Sequence, residues 1–199
     1  MVYFIGISGA LSMENCEADD DIDIFVICKN DFVWTTRIFL IIFLIFLGAY
    51  RKKYDIQYKD KICLNLIIAE RKMTYFKSRR NLYLAHEIIQ LILILDKNNT
   101  YKKFIEENKW IFDYLPNGME RIGEYQIPFN KKNKRSGNLF IKILEVLRFE
   151  KLAKLLQWQY MKKNITIEKV NDNLLAFHPI DYGKKIMDLY NNRKFEIIL

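Results

Sequence analysis

The sequence predicts an α+β fold, in which a small mixed β-sheet is followed by a helical C-terminal part. Two patterns predict it. Short β-forming runs around one long apolar run occupy residues 1–70, whereas periodic apolar patterns typical of helices dominate residues 71–199. The chain is 51% hydrophobic, enough for a core, and its three prolines and seven glycines are too few for a loop-rich all-β protein. We therefore predict a core domain at 1–70 and a helical region at 71–199.

Three strands are predicted in the first part of the chain. Val2–Ile7 is a short apolar run, Ile22–Cys28 is strongly β-forming, and Lys61–Ala69 is short and rich in β-branched residues. Their order, with a helix between the second and third strands, predicts a mixed sheet. The chain opens directly on the first strand, which is typical of a domain that lacks residues upstream.

A long apolar run predicts a helix over Phe32–Tyr50. Its centre, Ile38–Tyr50, holds 13 residues without a charge between Arg37 and the basic residues 51–53. A helix that spans a bilayer needs about 20 apolar residues. We therefore expect a buried helix and no membrane partner. Association of residues 38–50 with a membrane is the alternative.

After Glu70 the apolar residues recur at helical spacing. Helices are predicted over Asn81–Leu95, Tyr101–Tyr114 and Leu139–Met161, with a last one from Pro179 or Asp181 to about residue 190. The glycines, the proline and the basic run within Gly118–Gly137 make that segment the best candidate for a linker.

Charge is unevenly distributed along the chain. The formal net charge is +8, yet residues 1–30 carry six acidic residues and one lysine, which leaves +13 for the rest. An acidic focus in a basic protein suits a metal-dependent enzyme that acts on phosphates. Carboxylates hold the cation, and lysines and arginines attract a polyphosphate or a nucleic acid.

Cysteine usage indicates a reducing compartment. The three cysteines (Cys16, Cys28 and Cys63) are odd in number and widely spaced, which predicts reduced thiols in a cytoplasmic protein. Two histidines and these cysteines have no zinc spacing, and the sequence lacks the glycine-rich P-loop, the dinucleotide-binding fingerprint and the serine-hydrolase elbow.

The sharpest motif is Asp21-Ile22-Asp23 at the start of the second strand. Residues i and i+2 of a strand share a face, so the two carboxylates are expected to point together. Like charges this close are costly unless a cation lies between them, and oxygen ligands suit Mg²⁺ or Mn²⁺. The alternative interpretation is an acidic turn that leads into a strand.

A turn of small residues precedes this acidic pair. Residues 7–13 (ISGALSM) follow the first strand, and such a turn lets backbone N–H groups approach a phosphate. Together, Gly9-Ala10 and Asp21-Ile22-Asp23-Ile24 resemble the signature of the nucleotidyltransferase domain of the DNA polymerase β superfamily. Further stretches resemble a poorly characterised prokaryotic branch of it: ISGALSMEN (7–15), DDDIDIFVI (19–27), WTTR (34–37), KICLN (61–65), NLYLAHE (81–87) and NKWIFDYLPN (108–117).

The resemblance implies transfer of a nucleoside monophosphate from an NTP to an acceptor hydroxyl, with release of pyrophosphate. It assigns Mg²⁺ (or Mn²⁺) binding to Asp21 and Asp23 and places Asn65 at the position of a third catalytic acid. It assigns the nucleotide phosphates to the turn residues Ser8, Gly9, Ala10 and Ser12. The acceptor is left open between a small molecule, an RNA end and a protein side chain.

Two residues depart from the family pattern. Ala10 replaces a serine whose hydroxyl would contact the nucleotide, and Asn65 is neutral and a poor base. Three interpretations follow: catalysis with two acids, substitution by another residue such as Glu70, or a catalytically degenerate protein. The degenerate form would be a nucleotide-binding or antitoxin-like interaction protein.

Basic residues interleaved with aromatic ones form two further candidate sites. One lies at residues 71–80 around Tyr75 and Phe76, and the other is Lys131–Arg135. Such patches can bind single-stranded nucleic acid through phosphate contacts and base stacking. A solvated, lysine-rich surface is an equally good interpretation.

Overall fold

The computed structural model of the protein describes residues 1–52, 55, 57–122, 138–162, 169–177 and 182–198. Its strands are β1 (Val2–Ser8), β2 (Ile22–Cys28), β3 (Ile62–Ala69), β4 (Ile92–Asp96), β5 (Lys169–Asn171) and β6 (Leu174–Ala176). They form one sheet in the order β4-β1-β2-β3-β6-β5. Strands β2 and β3 pair in parallel, and the other neighbours pair antiparallel. The predicted α+β class and mixed sheet are thus confirmed.

Helices cover both faces of the sheet. They are α1 (Gly9–Ser12), α2 (Val33–Phe46), α3 (Leu82–Ile89), α4 (Thr100–Glu107), α5 (Ile111–Tyr114), α6 (Gly118–Arg121), α7 (Asn138–Val146), α8 (Phe149–Met161) and α9 (Tyr182–Ile198). Short 3₁₀ turns at Glu70–Lys72 and Lys77–Arg79 connect β3 to α3.

The alternation of each strand separates two hydrophobic cores. Phe25 and Ile27 of β2 point to the face covered by α3, α4 and α5, whereas Ile24 and Val26 point to the face covered by α2 and α8. Because Asp23 has the same parity as Phe25 within β2, its side chain belongs to the face that α3 covers.

The predicted helix Asn81–Leu95 is wrong in its second half. Helix α3 ends at Ile89, and Ile92–Asp96 forms edge strand β4, antiparallel to β1. The apolar run Ile92–Leu95 fits either a helix or a strand in isolation. The segment forms a strand because it pairs with the free edge of β1. The hairpin formed by β5 and β6 was not predicted, because three-residue strands leave little pattern in a sequence.

The predicted helix Leu139–Met161 is broken in two. Arg148 adopts a left-handed conformation (φ 48°, ψ 37°) between α7 and α8. The break redirects the chain so that Glu150 reaches the N-terminus of α2, where its carboxylate accepts hydrogen bonds from Trp34 N and Thr35 N, both at 2.8 Å.

The other predicted elements are partly confirmed. Tyr101–Tyr114 is helical as α4 and α5, interrupted at residues 108–110, and α9 extends the last predicted helix to Ile198. Residues 179–181, proposed as its start, lie outside the described residues, as do 123–137 of the proposed linker. Three strands (β4, β5 and β6) follow residue 70, so that part of the chain is helical only in part, and the domain division at residue 70 stays a prediction.

The expectation that residues 38–50 form a buried helix is wrong for the end of α2. Leu44 is buried, but Ile42, Phe43, Ile45, Phe46 and Leu47 are more than half exposed. Helix α8 covers the first turns of α2, and the last turns extend beyond that cover. Among the residues that the structure describes, no helix is long and apolar enough to cross a membrane.

Candidate functional site

Two aspartates and a cysteine meet where β2 begins. Asp23 lies opposite Ser8 of β1 and opposite Cys63 of β3. One carboxylate oxygen each of Asp21 and Asp23 and the Sγ of Cys63 lie within 4.8 Å of one another. The two carboxylates therefore lie on one face of the sheet, side by side.

Gly9 brings the backbone of the turn after β1 against this group. Its φ of +69° lies in the left-handed region, and a Cβ built on it would stand 2.5 Å from Oδ2 of Asp23. Any other residue would be strained in its backbone and would collide with the carboxylate. The glycine therefore permits the close approach of the turn to Asp23.

The hydroxyls of the turn differ in their partners. Ser12 Oγ donates to the carbonyl of Gly9 at 3.0 Å, which stabilises the short helix α1. Ser8 Oγ is buried and has no hydrogen-bond partner. A buried hydroxyl without a partner costs free energy, and Ser8 lies opposite Asp23 in the sheet. Ala10 lies in α1 and offers no hydroxyl.

Arg51, which the sequence analysis passed over as the end of an apolar run, pairs with one of the aspartates. Its Nη1 lies 2.6 Å from Oδ2 of Asp21, and its guanidinium stacks on the ring of Tyr58. Burial works to lower the pKa of Arg51, but the charge of Asp21, the hydrogen bond to it and the contact with Cys63 together outweigh burial, so the pKa lies above its usual value. The ion pair fixes the position of Asp21.

The negative charge of Asp23 is offset less by its neighbours than that of Asp21, which pairs with Arg51. Its pKa is raised to about 6, first by burial and then by the charge of Asp21; a hydrogen bond from the thiol of Cys63 and the charge of Arg51 oppose the shift. Ionising both carboxylates therefore costs free energy that the described neighbours do not offset. A cation between them would remove that cost.

A β-bulge decides which residue of β3 lies opposite Asp23. Ile24 pairs with Leu64 and Phe25 pairs with Leu66, so Asn65 is the extra residue. Cys63, not Asn65, is the residue opposite Asp23. Asn65 is buried two residues farther along β3, and its carbonyl accepts a hydrogen bond from Phe177 N. The sequence could not indicate this change of register.

Cys63 acts as a neutral donor in this arrangement. Burial, together with the charges of Asp23 and Asp21, raises the pKa of its thiol far above the usual value. The thiol stays protonated and donates a hydrogen bond to Asp23. The site therefore offers hard oxygen ligands rather than a thiolate.

Glu87 is a carboxylate that the sequence analysis missed, although it ends the quoted stretch NLYLAHE. It lies on α3, which covers the face of Asp23, and it accepts a hydrogen bond from Tyr83 Oη at 3.0 Å. Its pKa is raised to about 7, mainly by burial; the bond from Tyr83 opposes the shift and the charge of Asp23 adds to it. Glu87 is therefore a buried carboxylate on the face of the sheet that also holds Asp23.

Glu70, the substitute acid considered from the sequence, lies elsewhere. It follows β3 at the end opposite to Cys63, and at about 3.3 Å per residue the two ends of the strand are roughly 20 Å apart. Its carboxylate lies 3.8 Å from Nζ of Lys103. The structure therefore removes Glu70 from the candidate site.

The donor set fits a hard divalent cation. Two carboxylates and the unpartnered hydroxyl of Ser8 are oxygen donors, which Mg²⁺ and Mn²⁺ prefer. Within the described residues this is the one group of acidic, cysteine or histidine side chains with spacing that suits a metal.

The basic stretch at 71–80 is partly committed to internal contacts. Arg71 pairs with Asp31, the guanidinium of Arg80 lies over the ring of Trp110, and Tyr75 packs against the core beside Phe104. Of its two aromatic residues, Phe76 is well exposed. The second stretch, residues 131–135, lies outside the described residues. Nucleic-acid binding stays a prediction.

Comparison with known proteins gives no match: no family model, no curated protein and no solved structure corresponds to this chain. The resemblance to the nucleotidyltransferase domain therefore depends on the motifs alone. The functional assignment rests on the geometry around Asp21, Asp23 and Gly9.

Proposed function

We propose that the protein is a Mg²⁺- or Mn²⁺-dependent nucleotidyltransferase, which moves a nucleoside monophosphate from an NTP to an acceptor hydroxyl. The observation that carries the proposal is the pair of carboxylates, Asp21 and Asp23, against a positive-φ glycine at the end of β1. Such a turn admits a phosphate, and such a pair binds the cation that accompanies a triphosphate.

The residues of the site would have different roles in binding the cation and the NTP. Asp21 and Asp23 would hold the cation, and Arg51 would keep Asp21 in place. Gly9 would keep the backbone of the turn close to the Asp23 carboxylate, and Ser8 Oγ would donate to a phosphate oxygen. The bound cation would neutralise charge on the triphosphate and on the leaving pyrophosphate.

The chemistry requires one proton acceptor. The acceptor oxygen attacks the α-phosphorus in line, the bond from that phosphorus to the bridging oxygen breaks, and pyrophosphate leaves with the electron pair. Glu87 would take the proton of the attacking hydroxyl, because a carboxylate with a pKa of about 7 is an effective general base near neutral pH. Asn65, by contrast, is buried within the bulge and is a poor base.

A second candidate function is a catalytically degenerate nucleotide-binding or antitoxin-like protein. It is favoured by the thiol of Cys63 opposite Asp23, where an acid would complete a three-carboxylate site, and by Ala10 in the turn. Calorimetry with ATP and Mg²⁺, followed by an assay of pyrophosphate release, separates the two candidates. Binding without release would identify the degenerate protein.

The cellular compartment and the acceptor are also proposals. We place the protein in the cytoplasm, because Cys16, Cys28 and Cys63 are free thiols in the structure. The acceptor is a small molecule, an RNA end or a protein side chain, and the basic surface would favour a polyanionic one.

The test is incubation of the protein with cell extract, Mg²⁺ and labelled NTPs, followed by identification of the labelled species. Wild-type protein should label one class of acceptor, and Asp23→Asn should not. Asp31→Asn is the matched control, because Asp31 is an exposed aspartate beyond the other end of β2. Equal labelling by wild type and Asp23→Asn would contradict the proposal.

A further inference from the structure

The C-terminal turns of α2 stand out of the fold as an apolar tip. Ile42, Phe43, Ile45, Phe46 and Leu47 are 53–86% exposed. Their positions lie around most of the helix circumference, so the exposed apolar surface is a protruding end rather than one side of a helix. Large apolar surfaces of this kind mark interaction sites on proteins in solution.

Helix α7 presents a second apolar surface to solvent. Its inner side contacts the core through Leu144, which is buried. Its outer side carries apolar residues at helical spacing: Leu139, Phe140, Ile143, Val146 and, just beyond the helix, Leu147, all 46–82% exposed. The amphipathic pattern of α7 is therefore directed largely away from the protein.

The two surfaces adjoin. Phe39 of α2 and Phe140 of α7 are in ring contact, with centroids 6.0 Å apart. Phe39 shares its helix face with Phe43 and Phe46, at i+4 and i+7, and Phe140 shares its face with Ile143. We call the ten exposed residues the α2–α7 apolar surface: Ile42, Phe43, Ile45, Phe46, Leu47, Leu139, Phe140, Ile143, Val146 and Leu147.

Cations surround the tip of α2. Lys61 donates from Nζ to the carbonyl of Gly48 at 2.6 Å, and Lys52 and Lys59 are exposed beside it. Arg51 follows, already paired with Asp21. The acids nearby are Asp21, Asp60 and Asp55, which accepts a hydrogen bond from Lys52 N. Three lysines therefore lie at the base of the tip, in a chain whose net charge is +8.

We propose that the α2–α7 apolar surface is a peripheral docking site for an anionic lipid bilayer. An apolar helix end with lysines at its base can insert among the acyl chains while the lysines contact anionic headgroups. A second copy of the chain is disfavoured as the occupant, because docking two tips would bring two sets of lysines together. The proposal concerns a surface contact, and it does not depend on nucleotidyl transfer.

The test is flotation of the full chain with phosphatidylcholine vesicles, with and without phosphatidylserine. We expect binding to the phosphatidylserine vesicles only, weakened by added salt. Phe43→Ser with Phe46→Ser should weaken binding by about tenfold or more, since each phenylalanine loses its apolar burial. Phe76→Ser is the matched control, because Phe76 is 68% exposed and lies outside the surface. Circular dichroism melting should show all variants folded, because these side chains are exposed.

Four outcomes would overturn the proposal. One is a wild-type protein that fails to float with anionic vesicles. The second is equal binding to vesicles with and without phosphatidylserine. The third is binding by the double variant that equals that of the wild type. The fourth is a dimer in sedimentation equilibrium that the double variant dissociates, which would assign the surface to a second copy of this chain.

Discussion

Charged side chains are arranged in opposite ways at the two ends of β2. At the end where β2 begins, Asp21 and Asp23 lie side by side, and the pKa of Asp23 is raised to about 6. At the other end, where a cavity of about 940 Å³ opens beside Lys29, several of the charged side chains pair with a side chain of opposite sign. Where β2 begins, the repulsion between the two carboxylates is not offset by the described neighbours. At the other end, ion pairs offset the cost of holding charged groups in place.

The second end shows what a structural use of charge looks like. Lys29 pairs with Glu145, Lys154 pairs with Asp172, and Glu150 caps the N-terminus of α2. A cavity alone does not indicate function when most of its charged side chains are paired. Two carboxylates this close together, with the pKa of one of them raised, are by contrast typical of functional sites.

The largest expected difference between the two ends is in activity. Asp21→Asn or Asp23→Asn should lower metal-dependent transfer from NTP by about a thousandfold, because each removes charge that holds the cation. An assay of pyrophosphate release measures this loss of activity. Asp31→Asn and Glu145→Gln, at the other end, should leave the rate unchanged; a comparable loss in either would erase the distinction.

The next effect concerns the cap of α2. Glu150→Ala should lower the free energy of unfolding by about 2–3 kcal/mol, since it removes a carboxylate that accepts two backbone N–H groups. Urea unfolding monitored by circular dichroism measures the loss, and Glu150→Gln should recover part of it. A change below about 0.5 kcal/mol would show that Glu150 does not anchor α8 to α2.

Where β2 begins, a substitution at Asp23 should change the free energy of unfolding in the opposite direction. Because the folded pKa of Asp23 (about 6) exceeds its unfolded value of 3.8, the folded state binds more protons between these values and wild-type stability falls as pH rises through that window. Asp23→Asn should therefore raise the free energy of unfolding at pH 7 by about 3 kcal/mol.

Below about pH 3, where Asp23 is largely protonated in both states, the advantage of Asp23→Asn should vanish. Destabilisation by Asp23→Asn at pH 7 would mean that the carboxylate is compensated in the metal-free protein. The contrast between the two ends of β2 would then be wrong.

The smallest effect is expected at the surface ion pair. Lys29→Ala should change the free energy of unfolding by about 0.5 kcal/mol or less, because Lys29 and Glu145 are both partly exposed and their attraction is screened by water. A loss near that of Glu150→Ala would show that the pair is more than a surface contact. The matched double variant, with Glu145→Ala, isolates the pairwise contribution.

Local patterns predicted part of this molecule well. The strands β1, β2 and β3 follow from short β-forming runs, and the common face of Asp21 and Asp23 follows from the period of a strand. The proximity of Gly9 to this pair was expected only from the resemblance, since no local rule joins residues on two different strands.

The rest depended on long-range packing. Strand β4 required a partner edge on β1, and the turn at Arg148 required the contact of Glu150 with α2. Cys63 lies opposite Asp23 because of the bulge at Asn65, and Glu87 lies on the same face of the sheet as Asp23 because α3 folds over that face. Each of these is set by elements distant in sequence, which a periodicity cannot indicate.

The central claim is that Asp21 and Asp23 hold a divalent cation, and Mn²⁺ binding tests it most directly. Electron paramagnetic resonance of free Mn²⁺, titrated with protein, should show a bound ion for the wild type and for Asp31→Asn. The double variant Asp21→Asn with Asp23→Asn, confirmed as folded by its melting curve, should leave the free-ion signal unchanged. Equal loss of that signal with the wild type and the double variant would contradict the claim.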